Sequence, residues 1–181
     1  MLYNNWLTSK VEVRHISSGS GCGSFAIQNI DKGEIIAAFG GLLVNRQELL
    51  TQTTDRQARS IQIETDLYLL SGTHPEPGDM VNHSCDPNCG LSGQMVVIAL
   101  RPIDIGEQCT FDYAMCDGYP EVLFSCECKS PQCRGNITGN DWKLPELQER
   151  YNGHFSPYLA RKISSLQRKS NFYVQNASKL D

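Results

Sequence analysis

The sequence predicts a mainly β fold that closes with a cysteine knuckle and a C-terminal helix. Three observations carry that prediction. Up to about residue 115, short apolar runs alternate with clusters of Gly, Asp and Pro, the residues that build turns. Three cysteines, Cys126, Cys128 and Cys133, then crowd together. Beyond them apolar residues recur three and four apart, the spacing of a helix.

The strands come first. Val11-Glu12-Val13 alternates as a half-buried strand does. Gly33-Glu34 makes a turn ahead of an apolar strand, Ile35–Phe39. Gln94–Leu100 (QMVVIAL) and Gln108–Tyr113 (QCTFDY) are two more. SGSGCGS, DKGE, HPEPGD, CDPNCG and DIGE punctuate them. Leu43–Ser60 is polar, with a helix expected around Arg46–Leu50. There is no βαβ rhythm and no internal repeat. Near the end, Ser156-Pro157 reads as a helix N-cap followed by Pro at the first helical position. Tyr158, Leu159, Ile163 and Leu166 then share one apolar face, with Arg161, Lys162, Arg168 and Lys169 toward solvent. The last stretch, NFYVQNASKLD, is expected to fray.

Composition excludes several classes. The 181 residues carry 16 Lys+Arg against 20 Asp+Glu, a formal net charge of −4, and 40 % apolar residues. That suits a globular chain with a core. It is too acidic to coat nucleic acid through a basic surface, so no direct nucleic-acid partner is expected. The longest apolar run, Ile35 to Val44, is broken by Gly40 and Gly41, so no membrane association is expected. MLYNNWLTSK has no apolar core or small-residue cleavage site, which predicts no secretory signal and a cytoplasmic or nuclear location. The charge is uneven: residues 1–141 hold 9 basic and 17 acidic groups, residues 142–181 hold 7 and 3. An acidic body attracts a basic partner.

Four segments carry chemistry. Gly19 to Ala26 (GSGCGSFA) is a glycine loop that lets backbone approach a ligand. No helix-forming segment or third spaced glycine follows, so it is not a dinucleotide fingerprint. Asn82 to Cys89 (NHSCDPNC) packs polar, turn-forming and metal-capable residues together. Gly106 to Tyr113 (GEQCTFDY) is a turn and a strand. The fourth is Cys126-x-Cys128-x4-Cys133. With no export signal, eight cysteines favour thiols or metal over disulfides. Three close thiolates need a fourth ligand to close a tetrahedral zinc site, and Cys85, Cys89, Cys109 and Cys116 are the candidates.

With these four segments in this order, the chain resembles the SET-domain protein lysine methyltransferases over roughly Val11 to Ile137. The resemblance rests on Gly21-x-Gly23, NHSCDPN at 82–88, GEQCTFDY at 106–113, and a post-SET CxCx4C at 126–133. It implies a SET-domain fold of short twisted sheets with a pseudoknot. The implied division is a SET domain at 11–117, a post-SET zinc knuckle at 122–138, and a helical tail at 139–181. The tail resembles that of small stand-alone SET proteins.

The resemblance also implies roles. The cofactor would be S-adenosylmethionine, with Gly21, Cys22, Gly23 and Phe25 at its methionine end. Asn82 and His83 would hold its polar edges, and Ile137 would cover the adenine. Tyr113 matches the catalytic tyrosine. Phe111 matches the position where Phe leaves room for di- or trimethyl products and Tyr restricts them. Cys85, Cys126, Cys128 and Cys133 match the ligands of one structural Zn2+. The implied substrate is a lysine in a basic protein, such as a histone or ribosomal protein.

Physical chemistry fits that reading. Only neutral lysine attacks a methyl group, and with a pKa near ~10.4 about one in a thousand is neutral at pH 7.4. A dry channel beside a sulfonium cation disfavours the ammonium. Alignment then supplies most of the rate.

Two positions depart from the family pattern. The usual Tyr-x-Gly-Glu reads Ala38-Phe39-Gly40-Gly41, so a frequent active-site tyrosine is Ala38. The Arg common three residues before the NHS asparagine is Asp79. Tyr68 is a candidate to restore the lost hydroxyl. Ala38 also motivates an alternative, a catalytically weak SET-fold module that binds cofactor and zinc.

Overall fold

A computed structural model describes residues 5–16, 21–119 and 122–177. Among the described residues the strands form four small sheets. The first is antiparallel and joins Trp6–Leu7, Ile35–Ala38, Val96–Ala99 and Cys89–Ser92. The second joins Val11–His15, Cys22–Ala26, Gln108–Phe111 and Asn82–His83. Its last pair is parallel, Thr110 opposite Asn82 and Phe111 opposite His83. The third joins Leu42–Val44, Leu67–Leu70 and Ile61–Glu64. The fourth is a hairpin of Val122–Ser125 and Asn136–Thr138, which carries the cysteine knuckle between its strands.

Period-two patterning decides which side chains enter the core. Val97 and Ala99 are buried while Val96 and Ile98 between them are partly open. Ala37, opposite Val97, is fully buried from the facing strand. Ile61-Gln62-Ile63-Glu64 alternates in sequence but not in burial, since Ile61 and Gln62 are both buried, and it lies just past Leu43–Ser60, the segment expected to be polar. The helix expected there does form at Arg46–Leu50, closed by a capping box of Asn45 and Glu48. A second short helix, Thr54–Ala58, follows, capped by Thr53.

Two expectations are corrected. The strand expected over Gln108–Tyr113 ends at Phe111. Asp112 accepts a hydrogen bond from the Ala114 N–H at 3.0 Å and turns the chain into a 3-10 helix, Tyr113–Met115. The glycine loop is a loop only in part: from Cys22 it is a strand, with Gly23, Ser24 and Ala26 buried, while Gly19 and Ser20 lie outside the described residues. The C-terminal helix starts at Pro157 as expected and runs to Ala177.

That helix is part of the core. Tyr158, Leu159 and Ile163 are buried, and Trp142, Leu147, Tyr151 and Phe155 join them against the sheets in one cluster. Burying each such side chain stabilises by roughly 1.5–3 kcal/mol. Leu166, on the same face, remains 42 % exposed. Lys162 lies over the Trp142 and Tyr158 rings, 5.3 and 5.5 Å from their centroids, so its stem covers aromatic surface. The Ser156 hydroxyl is buried and makes no hydrogen bond, so the helix start rests on Pro157.

Candidate active site and cysteine cluster

The second sheet brings the glycine strand, the Asn82–His83 strand and Phe111 side by side. Asn82 donates from Nδ2 to the Cys22 carbonyl at 2.8 Å, tying two distant motifs together. Gly23 is closely approached: a Cβ there would lie 2.4 Å from Gln108 Nε2, so the Gln108 side chain would have to move aside. Gly21, at φ +143°, takes a backbone conformation that side chains disfavour, with open space where a Cβ would point. Bare backbone at Gly21 therefore faces a cleft of about 1100 Å³. That volume is at the upper end for small-molecule sites, on the order of 300–1,000 Å³.

Gly21, Cys22, Tyr68, Asn82, His83, Phe111, Tyr113, Cys126 and Cys128 all line this cleft. An aromatic wall closes one side. Phe111 and Tyr113 have ring centroids 5.0 Å apart, and Phe39 lies 5.9 Å from Phe111. Phe124 from the knuckle hairpin stands edge-on to Tyr113 at 5.8 Å and to His83 at 5.4 Å. The Tyr113 hydroxyl donates to the Val81 carbonyl at 3.4 Å. Burial holds that hydroxyl neutral by raising its pKa, and the Asp117 and Cys116 charges add to the effect.

Tyr68 sits on the strand Leu67–Leu70, opposite Val44 and Gln62. Its hydroxyl is buried and makes no hydrogen bond. Burial raises its pKa, opposed by the nearby Arg46 guanidinium.

Three predicted residues stand elsewhere. Ile137 is fully buried in the knuckle hairpin, opposite Phe124. Phe25 and Gly23 lie on the glycine strand but are not among the residues lining the cleft. The Phe25 ring instead lies 5.5 Å from the Arg14 guanidinium.

The four expected cysteines converge. The Sγ atoms of Cys85, Cys126, Cys128 and Cys133 all lie within 4.8 Å of one another. Cys85 and Cys126 are 3.9 Å apart. A tetrahedron with Zn–S near ~2.3 Å has edges of about 3.8 Å, so this donor set fits zinc. Burial pushes the Cys85 thiol up to about 11, so its thiolate needs a compensating cation. The Arg134 N–H also points at Cys85 Sγ, at 3.4 Å. Cys89, Cys109 and Cys116, the other candidates for a fourth ligand, are buried outside this cluster.

His83 bridges the cluster and the cleft. Its Nδ1 accepts from the Tyr113 N–H at 3.2 Å, and its Nε2 lies 3.4 Å from Cys85 Sγ. Nδ1 as acceptor leaves the proton on Nε2, directed at the sulfur. Burial pushes the His83 pKa down to about 4, so the ring is neutral.

Other polar groups here carry weight that the sequence did not single out. Arg134 clamps Asp112 with two bonds, 2.6 and 2.8 Å, and Asp141 with a third at 2.8 Å. Tyr151 adds a hydroxyl to Asp112 at 3.0 Å. The knuckle, the segment before Tyr113 and the C-terminal region thus meet at one buried carboxylate. The signal available was an Arg directly after Cys133 and an Asp directly before Tyr113. Asp79 is likewise explained. It is fully buried and pairs with Arg59 at 3.1 Å, with Ser71 and the Glu76 N–H as further donors. The carboxylate stands at the family's Arg position, and the cation comes from the end of the helix Thr54–Ala58, between the strands Leu42–Val44 and Ile61–Glu64.

Comparison with known proteins is decisive at this point. The SET-domain family matches residues 21–114. The chain belongs to that family. Among curated relatives, the histone-lysine N-methyltransferase ash1 of Drosophila melanogaster is 30 % identical over 156 residues, 77 % of this chain and 7 % of its own. An H3 lysine-36 specific histone-lysine N-methyltransferase of Mycosarcoma maydis is 30 % identical over 132 residues, 66 % of this chain and 14 % of its own. An H3 lysine-4 specific one of Schizosaccharomyces pombe is 28 % identical over 130 residues, covering 64 % and 14 %. This SET-domain chain therefore spans a small part of the length of each relative.

Proposed function

We propose that this SET-domain chain is a protein-lysine N-methyltransferase acting on lysine in a basic protein, a histone being the first candidate. The observation that supports the reading most is the joining of three motifs around one cleft. The Asn82–Cys22 bond locks the glycine strand to the NHS segment, and Tyr113 and Phe111 stand in the same cleft. The named relatives are histone-lysine methyltransferases, which agrees with this.

Gly21, Cys22, Gly23, Asn82 and His83 would hold S-adenosylmethionine, which supplies an electrophilic methyl group when bound. Ile137 would act at a remove, by packing the hairpin that closes the adenine end. Tyr113 presents a neutral hydroxyl at the aromatic wall, where it orients the incoming amine. Phe111 and Phe39 exclude water and keep the channel apolar, which favours neutral amine over ammonium. Phe111 leaves the volume that a tyrosine hydroxyl would take, consistent with di- or trimethyl product. Tyr68 offers a second hydroxyl in place of the one missing at Ala38, in the same cleft wall as the Arg46 guanidinium. Cys85, Cys126, Cys128 and Cys133 would hold a structural Zn2+ that fixes the knuckle against the cleft.

The acidic body suits a lysine-rich partner. No helix among the described residues is long and apolar enough to cross a membrane. A cytoplasmic or nuclear setting goes with a histone or ribosomal substrate. Transfer of labelled methyl from S-adenosylmethionine to lysine in purified core histones tests the reading.

A further inference from the structure

Asp117 lines the cleft and makes no ion pair among the described residues. Its own N–H bonds the Tyr113 carbonyl at 2.8 Å, one turn beyond the Tyr113 backbone. The next residue, Gly118, donates to Gln62 Oε1 at 2.9 Å, which pins this segment against the third sheet. Asp117 lines the cleft together with Tyr68 and Tyr113. Its negative field reaches the hydroxyls of Tyr113, Tyr68 and Tyr158 and the thiol of Cys116. These come from its own segment, from the strand Leu67–Leu70 and from the helix Pro157–Ala177. The other carboxylate acting on it is Asp112, already held by Arg134. Among the described residues no ion pair reaches Asp117; its side-chain neighbour is the Cys116 thiol. The Asp79 side chain, Asp112 and Asp141 each have an arginine, and the buried Glu76 accepts from the Asn5 N–H.

Asp117 shares the cleft wall with Tyr68, Tyr113 and Arg46 and makes no ion pair among the described residues, which matches an ammonium group entering along the cleft. We infer that Asp117 receives the substrate lysine and accepts its proton, a step that rests on the methyltransferase reading above. An N–H bond of the ammonium breaks and its proton passes to an Asp117 oxygen. The ammonium–carboxylate pair becomes a neutral amine with a free electron pair and a neutral acid. The pair carries zero net charge before and after, so the transfer suits a poorly solvated channel. The acid afterwards releases the proton to the water in the open cleft. Burial pushes the Asp117 pKa up to about 7, with Asp112 adding and Cys116 opposing. An acid in that range is ionised above neutral pH and still basic enough to take a proton. The bland alternative, a carboxylate that only packs the Tyr113 turn, predicts no such proton chemistry.

The test compares parent, Asp117→Asn and Asp117→Glu in methyl transfer to core histones from pH 6 to pH 10. The parent rate should rise through about pH 7 and level off. Asp117→Asn should lose at least ~10-fold at pH 7 but less than ~3-fold at pH 10, where lysine deprotonates unaided. Asp117→Glu should recover part of the loss. An equal loss at every pH, or no loss at pH 7, overturns the inference while leaving the methyltransferase reading intact. A parent that labels no lysine at any pH overturns that reading instead. A second measurement then decides Asp117 alone, with n-pentylammonium as the lysine side chain. Saturable binding that moves the Asp117 carboxyl carbon resonance, and is lost in Asp117→Asn, supports the inference; its absence in the parent contradicts it.

Discussion

His83 accepts a hydrogen bond from the backbone of Tyr113 at 3.2 Å while its other ring nitrogen lies 3.4 Å from Cys85. One neutral imidazole therefore connects a cysteine of the cluster to the residue expected to orient the amine. Partners of metal ligands set ligand basicity and orientation, and their loss costs about 10–100-fold in metal affinity or activity. His83→Phe keeps the ring contacts to Tyr113 and Phe124 but removes both nitrogens. It should weaken zinc binding by about that factor, read by competition with a chromogenic chelator.

The cluster itself makes a stoichiometric prediction. Freshly purified, reduced protein should contain one zinc per chain by elemental analysis. Cys133→Ser should lose the metal and weaken S-adenosylmethionine binding, because structural zinc couples to folding of the segment that carries it. Unchanged cofactor affinity in that variant would show that the knuckle does not help form the site.

The Arg134 clamp should be costly to break from one side. Arg134 is mostly buried and Asp112 fully so. Arg134→Met leaves a buried carboxylate with only Tyr151 and backbone donors. Chemical denaturation should show a loss of about 3–5 kcal/mol. The double variant Arg134→Met with Asp112→Asn should lose clearly less than the two single losses combined, since both partners are removed together.

Phe111 and Tyr68 divide the chemistry of the channel. Phe111→Tyr should shift the product toward monomethyl lysine, read by mass spectrometry of the labelled peptide. Tyr68→Phe should lower kcat by about 10-fold with little loss of stability, since the hydroxyl makes no hydrogen bond in the folded protein. A parent that makes only monomethyl product would contradict the role given to Phe111.

Much of this arrangement was legible in the sequence because its signals are local. Turn residues and apolar runs marked the strands Val11–His15, Ile35–Ala38 and Val96–Ala99 to within a residue or two. Cysteine spacing marked the knuckle, and the family resemblance supplied Cys85 across 41 residues of chain. Long-range electrostatics were not legible. Nothing near Asp112 in the chain announces Arg134, 22 residues on. Nothing near Asp79 announces Arg59, because the pair forms only when the third sheet packs. Asp117 carries no signal of its own in the sequence; only the fold sets it in one cleft wall with Tyr68 and Tyr113. The third sheet was missed for a different reason. Ile61–Glu64 alternates cleanly, but short strands in a polar stretch give a weak signal.

Methyl transfer from labelled S-adenosylmethionine to core histones, run side by side for the parent chain and Tyr113→Phe, addresses the central claim most directly. The account predicts label on lysine with the parent and a loss on the order of 100-fold with Tyr113→Phe, the scale of one positioned polar group. No labelling by a zinc-loaded, folded parent, or equal labelling by the two proteins, would contradict it.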